Sequence, residues 1–379
     1  MIRLKNEAPI IRHLFFIILL VLASFQSNAQ KSSFLVLGDL HYDIPGNHNM
    51  EWLANKPDDV RQVNEYIDYT KNNWNDFMGI LRQQVLTVQP PVKALIQLGD
   101  LSEGLAGSEE KAGIMAANAM KAIDDANLPV PWIIVKGNHD VTGPGAVEAF
   151  QNFYVPMIRK QTNHPEINNA CYSYISGDVQ VICLDPFDKN TDMVSFLEKE
   201  LTASKAKFKF VAVHEPVIPV TERCWHLLKD NPEKREKLLE VIARYQAIVL
   251  TAHLHRYSVV SRSTPFGPIV QVMVNSVVKD KNYLEPIHVI TEYGPSIAEN
   301  VTDWQPETLE SRKAILAEEA KYVVFYKQSD LPGYAIIKTD GKKGTVQLEY
   351  YAAFGKEPYD KIDLTKLLNP AKAHATRKK

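Results

Sequence analysis

Phe34-Leu35-Val36-Leu37-Gly38-Asp39-Leu40-His41 sets the reading of this chain. Four apolar residues suit a short buried strand, and the glycine permits a sharp turn before a carboxylate and an imidazole. The same design returns four times along the sequence. Ala94–Leu98 leads to Gly99-Asp100, and Trp132–Lys136 leads to Gly137-Asn138-His139-Asp140. Phe210–Val213 leads to His214-Glu215, and Ile248–Ala252 leads to His253-Leu254-His255. In open α/β sheets, sites are built at the carboxyl ends of strands. Five of the 11 histidines fall at these tips. Each piece alone is weak. A Gly-Asp after a strand is often only a turn, and a single His214 is more often a satisfied core histidine than a ligand. The recurrence in order, always at a strand tip, argues for one shared site.

Helices are expected between the strands. One runs from about Asp58 to Gln89, and a second is capped by Ser108 and reaches Asn127. Further helical stretches are 145–158, 192–203 and, from Asn231-Pro232, to about Tyr245. Cys171–Ile175 and Val179–Leu184 read as a hairpin, and Ile269–Val274 as another strand. The alternation predicts an α/β fold with mixed sheets. The last ninety residues change character. A charged helix over 306–321 is followed by short strands at Tyr322–Tyr326, Tyr334–Lys338 and Thr345–Tyr351. We therefore expect a catalytic body over 30–290 and a β-rich C-terminal extension, 291–379, completing it or packing on it. The tail from Asn369, with its basic end, reads as frayed.

The chain has 379 residues, 45% hydrophobic and 23% charged, with a net charge of −2. That length buries a proper core. The near-neutral balance gives no case for a nucleic-acid binder, and three cysteines exclude a disulfide scaffold. The first residues form a targeting segment. Arg3, Lys5 and Arg12 precede the apolar run Leu14–Leu22, and Ser27-Asn28-Ala29 offers small residues for cleavage. The expectation is a signal peptide over 1–29 and an exported protein, periplasmic or secreted, with no stable membrane span after cleavage. Removing residues 1–29 leaves 40 basic and 44 acidic residues. Export permits disulfides. Cys171 and Cys183 flank the hairpin, so they are either bridged or two buried thiols, and Cys224 is left over in both cases.

Imidazole, carboxylate and amide donors together suit zinc, manganese or iron. An oxygen-only set would suit magnesium or calcium better. Two metals about 3.5–4 Å apart clamp both sides of a phosphoryl displacement and make hydroxide available near neutral pH.

The ordered series Asp39-x-His41, Gly99-Asp100, Gly137-Asn138-His139-Asp140, His214 and His253-x-His255 resembles the calcineurin-like metallophosphoesterases. The likeness spans about Phe34 to Arg256. One position departs: Ala252 stands where the last motif usually has glycine. The resemblance implies a four-layer α/β/β/α sandwich and two transition-metal ions, Mn, Fe or Zn. It implies that Asp39, His41 and His255 hold one metal, that Asn138, His214 and His253 hold the other, and that Asp100 bridges them. It implies a general acid at His139. Asp140 either orients His139 or caps the segment after it. Glu103 occupies the place where purple acid phosphatases carry a tyrosine, which argues against a tyrosinate–iron enzyme. Too little chain follows His255 for the large second domain of the exported 5′-nucleotidases.

The activity so implied is hydrolysis of a small phosphate ester by a hydroxide bridging two metals. Alternatives are a phosphodiesterase acting on a lipid headgroup or nucleotide-derived diester, and a metal-retaining binding protein without turnover. The intact His139 speaks against the last. Tyr42 and His48, leaving the first motif directly, are candidates for the substrate pocket, with Trp52 near them. Tyr66, Tyr69 and Trp74 read instead as core aromatics of an amphipathic helix. Trp225 and His226 form another wall or pack in the core, and Glu215 supports His214 or lies exposed.

Overall fold

The structure is a computed structural model that describes residues 31–299 and 308–369. The expected signal peptide and the basic tail lie outside the described residues. Strands are numbered in chain order. β1 (Lys31–Leu37), β2 (Val92–Gln97) and β3 (Trp132–Ile134) run parallel. β12 (Gly333–Asp340), β13 (Thr345–Ala352) and β14 (Pro358–Asp363) add antiparallel on the other side of β1. The resulting sheet has six strands in the order β14-β13-β12-β1-β2-β3.

A second sheet has eight strands in the order β10-β11-β8-β9-β7-β6-β5-β4. Its parallel centre is β5 (Val179–Cys183), β6 (Phe208–Ala212), β7 (Ile248–Thr251) and β9 (Gly267–Met273). Its antiparallel strands are β4 (Tyr172–Ser176), β8 (Tyr257–Thr264), β10 (Val289–Ile290) and β11 (Val323–Ser329). The two sheets are mixed, as the sequence predicts. The C-terminal strands are integral to both: β11 extends one sheet, and β12 pairs with β1 in the other.

Side-chain alternation along the strands separates two cores. Val181, Phe210, Leu250 and Val272 face one way and pack with β1–β3 and the helices α1 (Pro57–Thr87) and α2 (Glu109–Ala126). Ile182, Val211, Val249 and Met273 face the other way. They meet α4 (Met193–Ala203), α5 (Pro232–Arg244) and α6 (Leu309–Ala320), while α3 (Val155–Thr162) packs with the first core. Helix starts follow local chemistry. The Ser108 hydroxyl accepts from Lys111 N, and Pro57 opens α1 with Asp58 and Asp59 in its first turn.

The cysteines are all free and buried. Cys183 pairs with Tyr172, not with Cys171. That one-residue offset turns the two thiols to opposite faces. Cys183 enters the core between the sheets and Cys171 the outer core.

Candidate metal centre

The tips of β1, β2 and β3 in one sheet and of β6 and β7 in the other converge on one point. Three groups of donors each have their ligand atoms within 4.8 Å of one another: Asp39, His41 and His255; His41, Asp100 and His139; and Asp100, His214 and His253. Asp100 Oδ2 lies 3.1 Å from His214 Nε2 and 3.9 Å from His41 Nε2, so it stands between the two sides. His41 Nε2 is 3.1 Å from His255 Nε2, and His253 Nδ1 is 3.2 Å from His214 Nε2. Asn138 Oδ1 is 3.0 Å from His214 Nε2.

Reaching this point strains the backbone. His41, Asp100, His253 and His255 have φ of 44°, 53°, 73° and 51°. Positive φ costs non-glycine residues free energy and concentrates at functional sites. Two glycines make room. Gly99, at φ 96°, supplies the turn into Asp100. A Cβ on Gly137 would lie 2.1 Å from Asp100 Oδ1, so only glycine lets that loop approach the carboxylate. Ala252 lies outside the positive-φ set, so its buried methyl sits there without backbone strain.

Burial governs the charges. It raises Asp39, against the pull of His214 and with help from the Asp100 carboxylate, to about 6. Burial also pushes His253 and His255 well down, which keeps them neutral, the state a metal ligand needs. His214 differs. Burial pulls it down, yet the Asp100 carboxylate outweighs this and lifts it to about 10. A proton there balances Asp100, and metal binding would displace it. Asp39 Oδ2 is fully buried and has no hydrogen-bond partner among the described residues. An orphaned carboxylate oxygen amid imidazoles and an amide fits a transition-metal ion.

Asp140 is buried and turns its carboxylate to main-chain donors. Its carboxylate accepts from the backbone N–H groups of Gly137, Asp100, Leu101 and Ser102 at 2.9–3.2 Å. It thereby ties the loop of Asn138 to the loop of Asp100. His139 Nδ1 instead meets the Glu103 carbonyl at 2.6 Å, and His139 N donates to Asp100 Oδ1.

The residues considered for the pocket spread out. His48 is buried, with Nε2 2.7 Å from Asp43 and Nδ1 3.0 Å from the Leu105 carbonyl, so both nitrogens are engaged within the chain. Tyr42 bridges to Ser102 and sets its ring against Trp74. Trp52 sits beneath Lys56 Nζ. Trp225 lies 5.8 Å, ring to ring, from His253, while His226 turns to the Cys224 carbonyl. Glu215 is largely buried, and burial raises its carboxyl. Two residues stand closer than the sequence suggests. Tyr66 stacks on His41 at 4.2 Å, and Glu103 Oε2 lies 2.7 Å from His41 Nδ1. Glu103 was legible only as the residue three places after Asp100, and Tyr66 carried no signal beyond helical spacing.

Residues 32–257 match the family model of the calcineurin-like phosphoesterases. The chain belongs to this family. Among solved structures, this phosphoesterase is similar to a purple acid phosphatase, PPD1, from yellow lupin seeds, at 14% identity and a TM-score of 0.54. That match covers 89% of this chain and 54% of the lupin protein, so the phosphoesterase spans about half its relative's length. It is also similar to a dimetal phosphatase from Danio rerio, at 12% identity and a TM-score of 0.48, over 87% of this chain and 98% of the other. No curated protein matches by sequence.

Proposed function

We propose that this phosphoesterase is exported and hydrolyses a small phosphate ester at a two-metal centre. The observation that carries this is the position of Asp100 Oδ2 between the His41 and His214 sides. Asp39, His41 and His255 would hold one ion, and Asn138, His214 and His253 the other, with Asp100 shared. When bound, such ions supply Lewis acidity toward the phosphoryl oxygens and a water nucleophile at neutral pH.

The chain's own residues do the rest. His139 is partly exposed, with its Nδ1 occupied by the Glu103 carbonyl, so its Nε2 is the end left for the substrate. We assign it the delivery of a proton to the leaving-group oxygen, and a hydrogen bond to the phosphoryl group before that. Asp140 keeps the two loops in register so that His139 and Asp100 keep their spacing. Export rests on the basic, apolar and small-residue order of residues 1–29.

Elemental analysis of the purified mature protein should give about two transition-metal ions per chain. Chromogenic monoesters and diesters assayed side by side then decide the ester class. His139→Ala should lower turnover by about 10²–10⁴-fold with the metals retained. A protein that binds no metal after reconstitution, or a His139→Ala variant with full turnover, would sink the reading.

A further inference from the structure

We propose that Glu103, gripped by α1, is a positioning residue that sets His41 as a metal ligand, so that the ion on the His41 side depends on α1. This rests on the two-metal reading above. The geometry begins with two atoms that face each other. His41 Nδ1 and Glu103 Oε2 are 2.7 Å apart, and both side chains are fully buried. The approach is close but not aligned as a hydrogen bond, and neither atom has a hydrogen-bond partner elsewhere among the described residues. A buried polar atom is costly to leave unpaired, so each is the other's nearest recourse. A carboxylate held at Nδ1 would favour the N–H on that nitrogen and leave the Nε2 lone pair for a metal. Nε2 is the nitrogen that points at His255 and Asp100.

Glu103 is itself held. Gln62 Nε2 donates to its Oε1 at 2.6 Å. Gln62 lies on α1, and one turn later the same helix carries Tyr66, whose ring stacks on His41 with an interplanar angle of 21°. Residues i and i+4 share a helix face. One face of α1 therefore grips Glu103 with an amide and covers His41 with a phenol ring. The Glu103 backbone carbonyl also receives His139 Nδ1. The grip acts on one side of the centre only. On the other side His214 Nδ1 meets the Leu98 carbonyl at 2.8 Å, a main-chain partner that no side-chain substitution removes.

The test is zinc retention by the full mature chain, measured by elemental analysis across a chelator series with zinc as the only added metal. Wild type should hold about two ions. Glu103→Ala should keep one ion at wild-type strength and hold the other about 10–100-fold more weakly. Glu103→Gln keeps an acceptor oxygen and should recover part of the loss. Gln62→Ala should weaken the same ion by a smaller factor. Thermal unfolding of the metal-free proteins separates this from general damage: a positioning role leaves the midpoint of the Gln variant near that of wild type. If Glu103→Ala does not fold, Glu103→Gln and Gln62→Ala carry the test. Chelator curves for these variants identical to wild type would overturn the inference while leaving the two-metal reading intact. A wild-type chain that takes up no zinc would overturn the two-metal reading first.

Discussion

The two sides of the centre are built from different materials. On the His214 side the imidazole leans on the Leu98 carbonyl, and the Ala252 amide donates to the His214 carbonyl at 2.9 Å. Thr251 Oγ1 donates to that same carbonyl at 2.7 Å. These contacts come from the parallel centre of the sheets and are fixed once the strands pair. On the His41 side the imidazole leans on Glu103, Gln62 and Tyr66, three side chains from a loop and a long helix. Main-chain support is set by the fold, whereas side-chain support is set by a few residues and yields to a few substitutions. The His41 side should therefore be the tunable half.

Asp100 is where the two halves meet, so its loss should have the largest effect. Asp100→Ala removes a carboxylate oxygen placed between both sides and also the acceptor for His139 N. Metal pairs contribute several kcal/mol of charge stabilisation. At 1.36 kcal/mol per tenfold, a loss of roughly 10³-fold or more in kcat is expected. Metal content should fall well below that of wild type in the same preparation. Full activity with both ions retained would show that the halves do not share Asp100.

The strand tips were legible in the sequence because each joins an apolar run to a ligand-type residue, a pattern local to about eight residues. The supports of His41 were not. Gln62 and Glu103 are 41 positions apart, and no periodicity links a helix face to a loop tip. β8 escaped for a related reason. Its residues Tyr257–Thr264 mix serine, valine and arginine without regular alternation, and Ser258, Ser261 and Arg262 are buried. A strand carrying polar residues on a covered face reads as a loop until its partners are known. Arg262 finds its partner in Glu319 of α6, 57 residues on. Three of the four backbone donors to the Asp140 carboxylate lie on the Asp100 loop, too far along the chain for a local pattern to show.

Gly137→Ala sharpens the comparison at the next level down. The added Cβ would meet Asp100 Oδ1 at 2.1 Å and Asp100 N at 2.2 Å, both rigidly placed. Asp100 must move, but it is not removed. A displacement near 1 Å at a reacting centre costs about 10²-fold. The expected outcome is a fall in kcat of that order, with the second sheet's main-chain scaffold and the thermal unfolding midpoint changed far less. Activity within twofold of wild type would mean that the loop absorbs the shift and that the close approach is not needed.

Ala252→Gly should have the smallest effect, and it probes the half held by main chain. Ala252 is fully buried, and its backbone φ is not in the left-handed region, so the methyl creates no strain that glycine would relieve. Its amide donates to the His214 carbonyl whichever side chain is present. Removing the methyl leaves the His253 and His255 ligand geometry untouched and costs about 0.5–1 kcal/mol through backbone entropy. Turnover within twofold of wild type and a slightly lower unfolding midpoint are expected. A gain in turnover of tenfold or more would mean that Ala252 holds the His253-x-His255 turn away from its working position. In that case the half supported by main chain would be the tunable one, and the contrast between the two sides would be reversed.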